Sequence, residues 1–240
     1  MEKERIRRYI WDKMERENIA QFPRPVYHRI PNFIGSEIAG RRVIQSKIFE
    51  DAEIVFCNPD SPQRIIREYV IKSGKTLIMA SPRLRSGFII LEKRYVPKGR
   101  ERRASTIAGA FRYGRIVEYL HDIHIDLKVT GSVAVTIDGG RVGKGGGFSD
   151  LEYAILREFG VIDEDTPIIT TVHEVQIVEY IPMTKHDVPV DIIFTPKRKI
   201  DTNRKYPKPI GIYWDELDMR KIDSIPILKK LYQRWKIKNV

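Results

Sequence analysis

Residues Asp138 to Asp150 read D-G-G-R-V-G-K-G-G-G-F-S-D, and six of the nine positions from Gly139 to Gly147 are glycine. Arg141 and Lys144 sit among them. The run Val133-Ala134-Val135-Thr136-Ile137 leads in and reads as a strand, while Leu151 to Phe159 leads out and reads as a helix. Ser149 and Asp150 suit the N-cap or first turn of that helix. Strand, glycine loop and helix form an arrangement in which backbone N–H groups and a helix N-terminus converge on an anion. Glycine lets the backbone visit positive φ and lets a ligand come close. Arginine and lysine would add charge-assisted contacts to phosphate oxygens. A plainer reading, a flexible hairpin tip carrying surface charge, uses the same letters. Two common glycine loops are excluded. A Walker loop needs Ser or Thr after its Gly-Lys, but Gly145 follows Gly143-Lys144. The dinucleotide pattern G-x-G-x-x-G fails because Phe148 follows Gly145-Gly146-Gly147.

Outward from this stretch, the chain alternates strands and helices. Residues 52–57 and 75–80 read as strands around a helix that follows the turn Asn58-Pro59-Asp60-Ser61-Pro62 and stops at Gly74. Strand, helix and strand with short connections predict a parallel α/β sheet. Helices are expected over residues 2–19, 35–48 and 112–120. Further strands are expected at 126–129, 132–137, 168–172, 174–180 and 190–194. Residues 92–105 are densely basic and read as a solvated, mobile loop or an anion-binding lid. His121, Asp122 and His124 lack a third convincing ligand, so no metal is assigned there. Two units are expected: residues 1–205 as the α/β domain, and 206–240 as a basic extension ending in an amphipathic helix over about 215–236. That tail could pack, dimerise or touch nucleic acid.

The chain has 240 residues, 42% hydrophobic and 31% charged, with Lys+Arg exceeding Asp+Glu by 11. Such a surface attracts anions: nucleotides, polyglutamylated cofactors and nucleic acid all qualify. Cys57 is the one cysteine, which excludes an intrachain disulfide and a cysteine-based zinc site. No apolar run approaches a membrane span and no signal peptide is evident, so a cytoplasmic monomer or homodimer is expected.

The glycine stretch also carries a resemblance. Arg141-Val142-Gly143-Lys144-Gly145-Gly146-Gly147-Phe148-Ser149-Asp150 aligns without a gap to R-L-G-x-G-x-G-Y-Y-D, the central motif of the 5-formyltetrahydrofolate cyclo-ligase family. Gln176, Pro182, His186-Asp187 and Thr195 match a later element of that family. The chain most resembles a paralogous branch, the methenyltetrahydrofolate-synthetase-domain-containing proteins. The shared features are F-P-R-P-V at 22–26, R-I-P-N-F-x-G at 29–35, N-P-D-x-P-Q at 58–63, P-R-L at 82–84, G-S-V-A-V at 131–135 and G-K-G-x-G-[YF]-x-D-L-E-Y-A at 143–154.

The resemblance implies a three-layer α/β/α domain with a mostly parallel sheet, of the sugar-phosphate isomerase and CoA transferase type. It implies ATP and Mg²⁺ as cofactors, with a folate or pterin as substrate. In the implied reaction the formyl oxygen of 5-formyltetrahydrofolate attacks the γ-phosphate, N10 closes the ring to 5,10-methenyltetrahydrofolate, and ADP and phosphate leave. Arg141 and Lys144 would be catalytic by stabilising phosphate charge. Lys3, Arg7, Gly143, Gly145, Gly146, Gly147 and Phe148 would hold the nucleotide, with Asp150 on the magnesium. Asp60 and Phe148 would face the substrate. Phe148-Ser149 replaces the family's tyrosine pair, and Asp60 stands for its folate-binding glutamate. That departure opens two alternatives: a paralogue acting on another heterocycle, such as a modified pterin or thiamine-pathway compound, or an RNA-binding module.

Overall fold

Val55 and Cys57 pack into one hydrophobic cluster, whereas Phe56, between them, packs into another. The same alternation recurs at Leu77/Ile78 and at Ile192/Ile193, so each central strand has two buried faces. A strand buried on both sides needs helices on both sides. In the computed structural model, which describes residues 2–238, this requirement produces an α/β fold around an eight-stranded mixed sheet.

Its strands are β1 (Ile54–Cys57), β2 (Thr76–Ala80), β3 (Phe88–Leu91), β4 (Arg115–Val117), β5 (Leu127–Thr130), β6 (Ile168–Thr171), β7 (Ile192–Phe194) and β8 (Lys199–Asp201). They lie in the order β8-β7-β6-β5-β1-β2-β3-β4. The five from β7 to β2 run parallel; β3, β4 and β8 join antiparallel at the edges. Helices α2 (Ser36–Ile44), α3 (Arg64–Lys72) and α4 (Ile107–Tyr113) supply residues to the cluster on the Val55 face. Helices α5 (Phe148–Glu158), α6 (Met219–Ser224) and α7 (Pro226–Lys238) supply the Phe56 face. Ile212, Trp214 and Ile222 of the tail belong to the same cluster as Leu151 and Ile155 of α5, so the tail shares the core of the domain.

From β1 the chain winds outward to β2, β3 and β4, then returns to place β5 on the other flank of β1 before continuing to β6 and β7. Strand order therefore reverses between β1 and β5. A crevice opens beyond the carboxyl ends of strands at such a point and is where open α/β sheets bind ligands. The segments leaving β1 (Asn58, Pro59, Asp60), β5 (Gly131) and β2 (Ser81, Pro82, Arg83) all line one cavity of about 870 Å³.

Several sequence expectations change. The helix expected over 112–120 is instead α4, which starts earlier, where Thr106 Oγ1 caps it by accepting from Gly109 N at 3.0 Å, and ends at Tyr113 as Gly114 turns extended. After Gly114 the chain pairs with β3 as a strand. Residues 174–180 form no ladder strand. Gln176 turns inward to donate to the carbonyls of Ser132 and Val133, both at 3.1 Å, which fixes a short 3₁₀ turn. Residues 92–105 carry a 3₁₀ turn and a short helix pinned by the buried Glu101, which pairs with Lys93. The expected C-terminal helix divides at Ile225, with Pro226 starting α7. No described helix is long and apolar enough to cross a membrane.

Candidate nucleotide-binding site

Val133-Ala134-Val135 does not feed the large sheet. Ala134–Val135 pairs antiparallel with Arg141–Val142 in a separate two-stranded ribbon. The glycine loop is therefore entered from Arg141-Val142 and exits into α5. Gly145, Gly146 and Gly147 take φ values of 104°, 79° and 64°, a region where a Cβ is strained. Gly147 is the N-cap of α5 and offers no side chain to it, so the first-turn N–H groups lack a side-chain cap. Six consecutive residues of α5, Leu151 to Leu156, are buried, which fixes the helix axis and its positive end at the cavity.

The N-terminal helix α1 (Glu2–Arg16) reaches the loop for a packing reason. Its buried Ile10, Trp11 and Met14 share a cluster with Val133, Ala134 and Val142 of the ribbon. Burial stabilises by about 1.5–3 kcal/mol for a side chain such as Ile or Met. The docked helix sets Lys3 and Arg7, one turn apart, against the site. Arg7 Nε donates to the Gly143 carbonyl at 2.7 Å. Lys3 pairs with Asp187, which also accepts from Thr184. Burial pushes the Asp187 carboxyl up, but the Lys3 and Thr184 hydrogen bonds outweigh it and hold it below the usual carboxylate range.

Arg141 is placed differently from a free phosphate ligand. Its side chain is 1% exposed and donates to the carbonyls of Val188 (3.1 Å) and Gly131 (3.0 Å) and to Asp150 Oδ1 (2.5 Å). Asp150 Oδ1 also accepts from Val188 N at 3.1 Å, while Oδ2 has no hydrogen-bond partner among the described residues. Lys144 is half-exposed and donates to Asp60 Oδ1 at 2.9 Å. Of the candidates the sequence singled out, Lys3, Arg7, Asp60, Arg141, Gly143, Lys144, Gly145, Gly147, Phe148 and Asp150 line the cavity, whereas Gly146 does not.

Beneath the start of α5 lies a polar cluster that sequence reasoning missed. Asn58 Nδ2 donates to Glu152 Oε2 at 2.6 Å, and Lys128 Nζ donates to Asn58 Oδ1 at 3.4 Å. Lys128 is fully buried with its ammonium 4.6 Å from the centre of the Phe56 ring. Ser149 Oγ bonds Thr130 Oγ1 at 2.9 Å and Asn58 Oδ1 at 3.3 Å. Burial raises the Glu152 carboxyl to about 7 and lowers the Lys128 ammonium to about 8, each shift partly offset by the other's charge. Asn58, Ser149 and Glu152 line the cavity. The spacing Ser149/Glu152 on α5 and Lys128/Thr130 on β5 places both pairs on one face of their elements, the only local signal available.

The sequence profile of the 5-formyltetrahydrofolate cyclo-ligase family matches residues 1–196. The chain belongs to that family. A bovine methenyltetrahydrofolate synthase domain-containing protein is 42% identical over 236 residues, covering 95% of this chain and 61% of the relative. The human protein of the same name is 41% identical over 239 residues, covering 97% of this chain and 62% of its own length. This cyclo-ligase family member thus spans about three fifths of the curated relatives it matches. The solution structure of 5,10-methenyltetrahydrofolate synthetase from Aquifex aeolicus shares the fold, with a TM-score of 0.54 at 17% identity over 90% of this chain and 100% of that one.

Within the family motif, the two positions that depart from the tyrosine pair have distinct surroundings. Phe148 lies with its ring centre 5.2 Å from Lys221 Nζ. The Ser149 hydroxyl is engaged by Thr130 and Asn58 in the polar cluster.

Proposed function

We propose that the chain is an ATP- and Mg²⁺-dependent ring-closing ligase that converts 5-formyltetrahydrofolate to 5,10-methenyltetrahydrofolate. The observation that carries this reading is convergence. Lys3 and Arg7, Asp60, and the 141–150 segment, remote in sequence, meet around one cavity at the strand-order reversal. At about 870 Å³ it falls within the ordinary range for ligand pockets.

The residues present fit a nucleotide. The glycine loop and the first turn of α5 offer backbone N–H groups without a side-chain cap. Lys3, Arg7 and Lys144 add positive charge around them. Arg141, committed internally, would act by holding Asp150 and the loop entrance in place. Asp150 would hold magnesium through Oδ2. One carboxylate plus phosphate oxygens is the kind of coordination this ion accepts. Among the described residues no cluster of three or more acidic, histidine or cysteine side chains offers an all-protein alternative. When bound, Mg-ATP supplies the phosphoryl group that makes the formyl oxygen a leaving group. The chain's own task is then to align N10 with the activated carbon and to exclude water.

A second reading keeps the nucleotide half and changes the heterocycle, to a modified pterin or a thiamine-pathway compound. Its specific support is that the serine hydroxyl at position 149 is spent on Thr130 and Asn58, and that Glu152 and Asn58 add hydrogen-bonding groups to the wall. A site that trades hydrogen-bonding groups changes its discrimination. The test is to mix the protein with 5-formyltetrahydrofolate, ATP and Mg²⁺ and follow methenyl absorbance together with ADP release. ATP-dependent product is the expected outcome. ATP binding by calorimetry without product or ADP would discard folate in favour of another heterocycle.

A further inference from the structure

Gly146 accepts a hydrogen bond at its carbonyl from Lys221 Nζ, at 2.6 Å. Lys221 belongs to α6, outside the 196 residues that the family profile matches. Packing fixes its position. Ile222 and Ile225 beside it are buried in the core cluster that contains α5. Asp218 caps α6 by accepting from Arg220 N at 2.8 Å. Upstream, Glu216 pairs with Lys185 at 2.7 Å and His186 at 3.0 Å, and Ile212 N donates to Glu158 at 3.0 Å. A folded segment of the tail therefore forms a wall of the cavity, and Tyr213, Glu216, Asp218 and Lys221 line it.

The Lys221 ammonium is short of a counter-charge. It is half-buried, and no carboxylate lies within ion-pairing distance of it among the described residues. Its one hydrogen bond, to Gly146, uses a single donor of the three an ammonium carries. Burial lowers its affinity for a proton, partly offset by the Asp150 charge. Phe148 covers it on one side, and a Cβ built on Gly147 would stand 3.3 Å from Nζ, so the ammonium lies against the N-cap of α5. That places a cation beside a helix N-terminus, both needing an anion.

We propose that Lys221 is a direct ligand of the phosphate chain held by the 143–147 loop, so that the tail completes the nucleotide site. This rests on the nucleotide reading given above. Its two unspent N–H groups would reach phosphate oxygens while the third keeps the loop in register through Gly146. Recognition of the anion is then shared between the family-matched domain and the tail.

The test uses the full chain, with calorimetry against Mg-ATP and against uncharged adenosine, together with thermal unfolding. Lys221→Gln keeps a donor for the Gly146 carbonyl and deletes the charge. It should weaken ATP binding about tenfold or more, the usual scale for a charge-assisted hydrogen bond. Adenosine affinity and the unfolding midpoint should stay unchanged, Lys221→Arg should restore most of the loss, and Lys236→Gln on α7 should do nothing. Equal losses for ATP and adenosine with a lowered midpoint would reduce Lys221 to a pin for the loop and overturn the proposal. Unchanged ATP affinity in Lys221→Gln, with Lys144→Ala still weakening it, would overturn it while leaving the nucleotide reading intact. If the wild type binds neither ATP nor tripolyphosphate, the nucleotide reading itself falls and takes this proposal with it.

Discussion

The glycine loop and the polar floor beneath it border the same cavity but are built on opposite principles. At Gly145 a Cβ would meet nothing within 4 Å. Its identity is dictated by backbone conformation alone. The floor is made of side chains with no freedom: Lys128 and Arg141 are buried, and Asn58 hydrogen-bonds in three directions, to Glu152, Lys128 and Ser149. One region holds a shape that a ligand can complete; the other is already complete. Variants in the floor should therefore fail in folding before they fail in binding, and variants in the loop should do the reverse.

The largest effect is expected at Arg141. Read from the sequence as a phosphate ligand, it invites the expectation that Arg141→Ala weakens nucleotide binding in a stable protein. Its burial changes that. Removing the guanidinium strands two backbone carbonyls and the Asp150 carboxylate. Breaking a buried ion pair by deleting one partner costs about 3–5 kcal/mol. Urea unfolding should show a loss of that order. A midpoint equal to that of the wild type would mean that the side chain is not structural, and would return it to the role of a free ligand.

Glu152 sharpens the contrast through pH. Burial raises its carboxyl from an ordinary 4.5 to about 7, so between those values the folded chain holds a proton that the unfolded chain has lost. Its contribution to stability is then full below about pH 4.5 and lost as pH rises through about 7. Glu152→Gln removes this dependence. The stability of the wild type relative to the variant should decline by about 2–3 kcal/mol between pH 5 and pH 8, at about 1.4 kcal/mol per unit of pKa change. A difference that stays flat across the window would show that Glu152 is ionised at both ends and that the floor is less dry than its burial implies.

These two residues also show where sequence reading stops. The loop was legible because its chemistry is local: consecutive positive-φ positions demand consecutive glycines, and the helix that follows carries its own apolar pattern. The central strands were legible for the same reason, since short apolar runs between turn residues mark them. The antiparallel edges were not. β4 and β8, Arg115–Val117 and Lys199–Asp201, are three residues each and carry charge, so only their pairing partners make them strands. The floor draws on β1, β5 and α5 and, through Arg141, on the two-stranded ribbon, and Lys128 in Leu127-Lys128-Val129 reads as the solvent-facing position of an alternating strand. Nothing in those three letters shows that α5 covers it. Likewise Lys221 looks like one more charge in a basic tail until Ile222 and Ile225 are seen to pack it against the loop.

The smallest change in stability, and the one that isolates the loop, is expected from Gly145→Val. With φ at 104° and open space around a Cβ, the substitution meets backbone strain while its Cβ meets no collision. Left-handed strain in a non-glycine residue costs about 1–3 kcal/mol, and a loop with few contacts can shed much of it by moving. Movement is what the proposed function cannot tolerate, because the N–H groups that face a phosphate chain would turn with the backbone. Calorimetry with Mg-ATP should therefore show a large loss of affinity in a variant whose urea midpoint falls only slightly. If Gly145→Val instead binds ATP like the wild type, the glycines serve chain flexibility alone. The phosphate would then be held by side chains, Lys144 and Lys221 first among them, and the distinction between a backbone cradle and a side-chain floor would lose its basis.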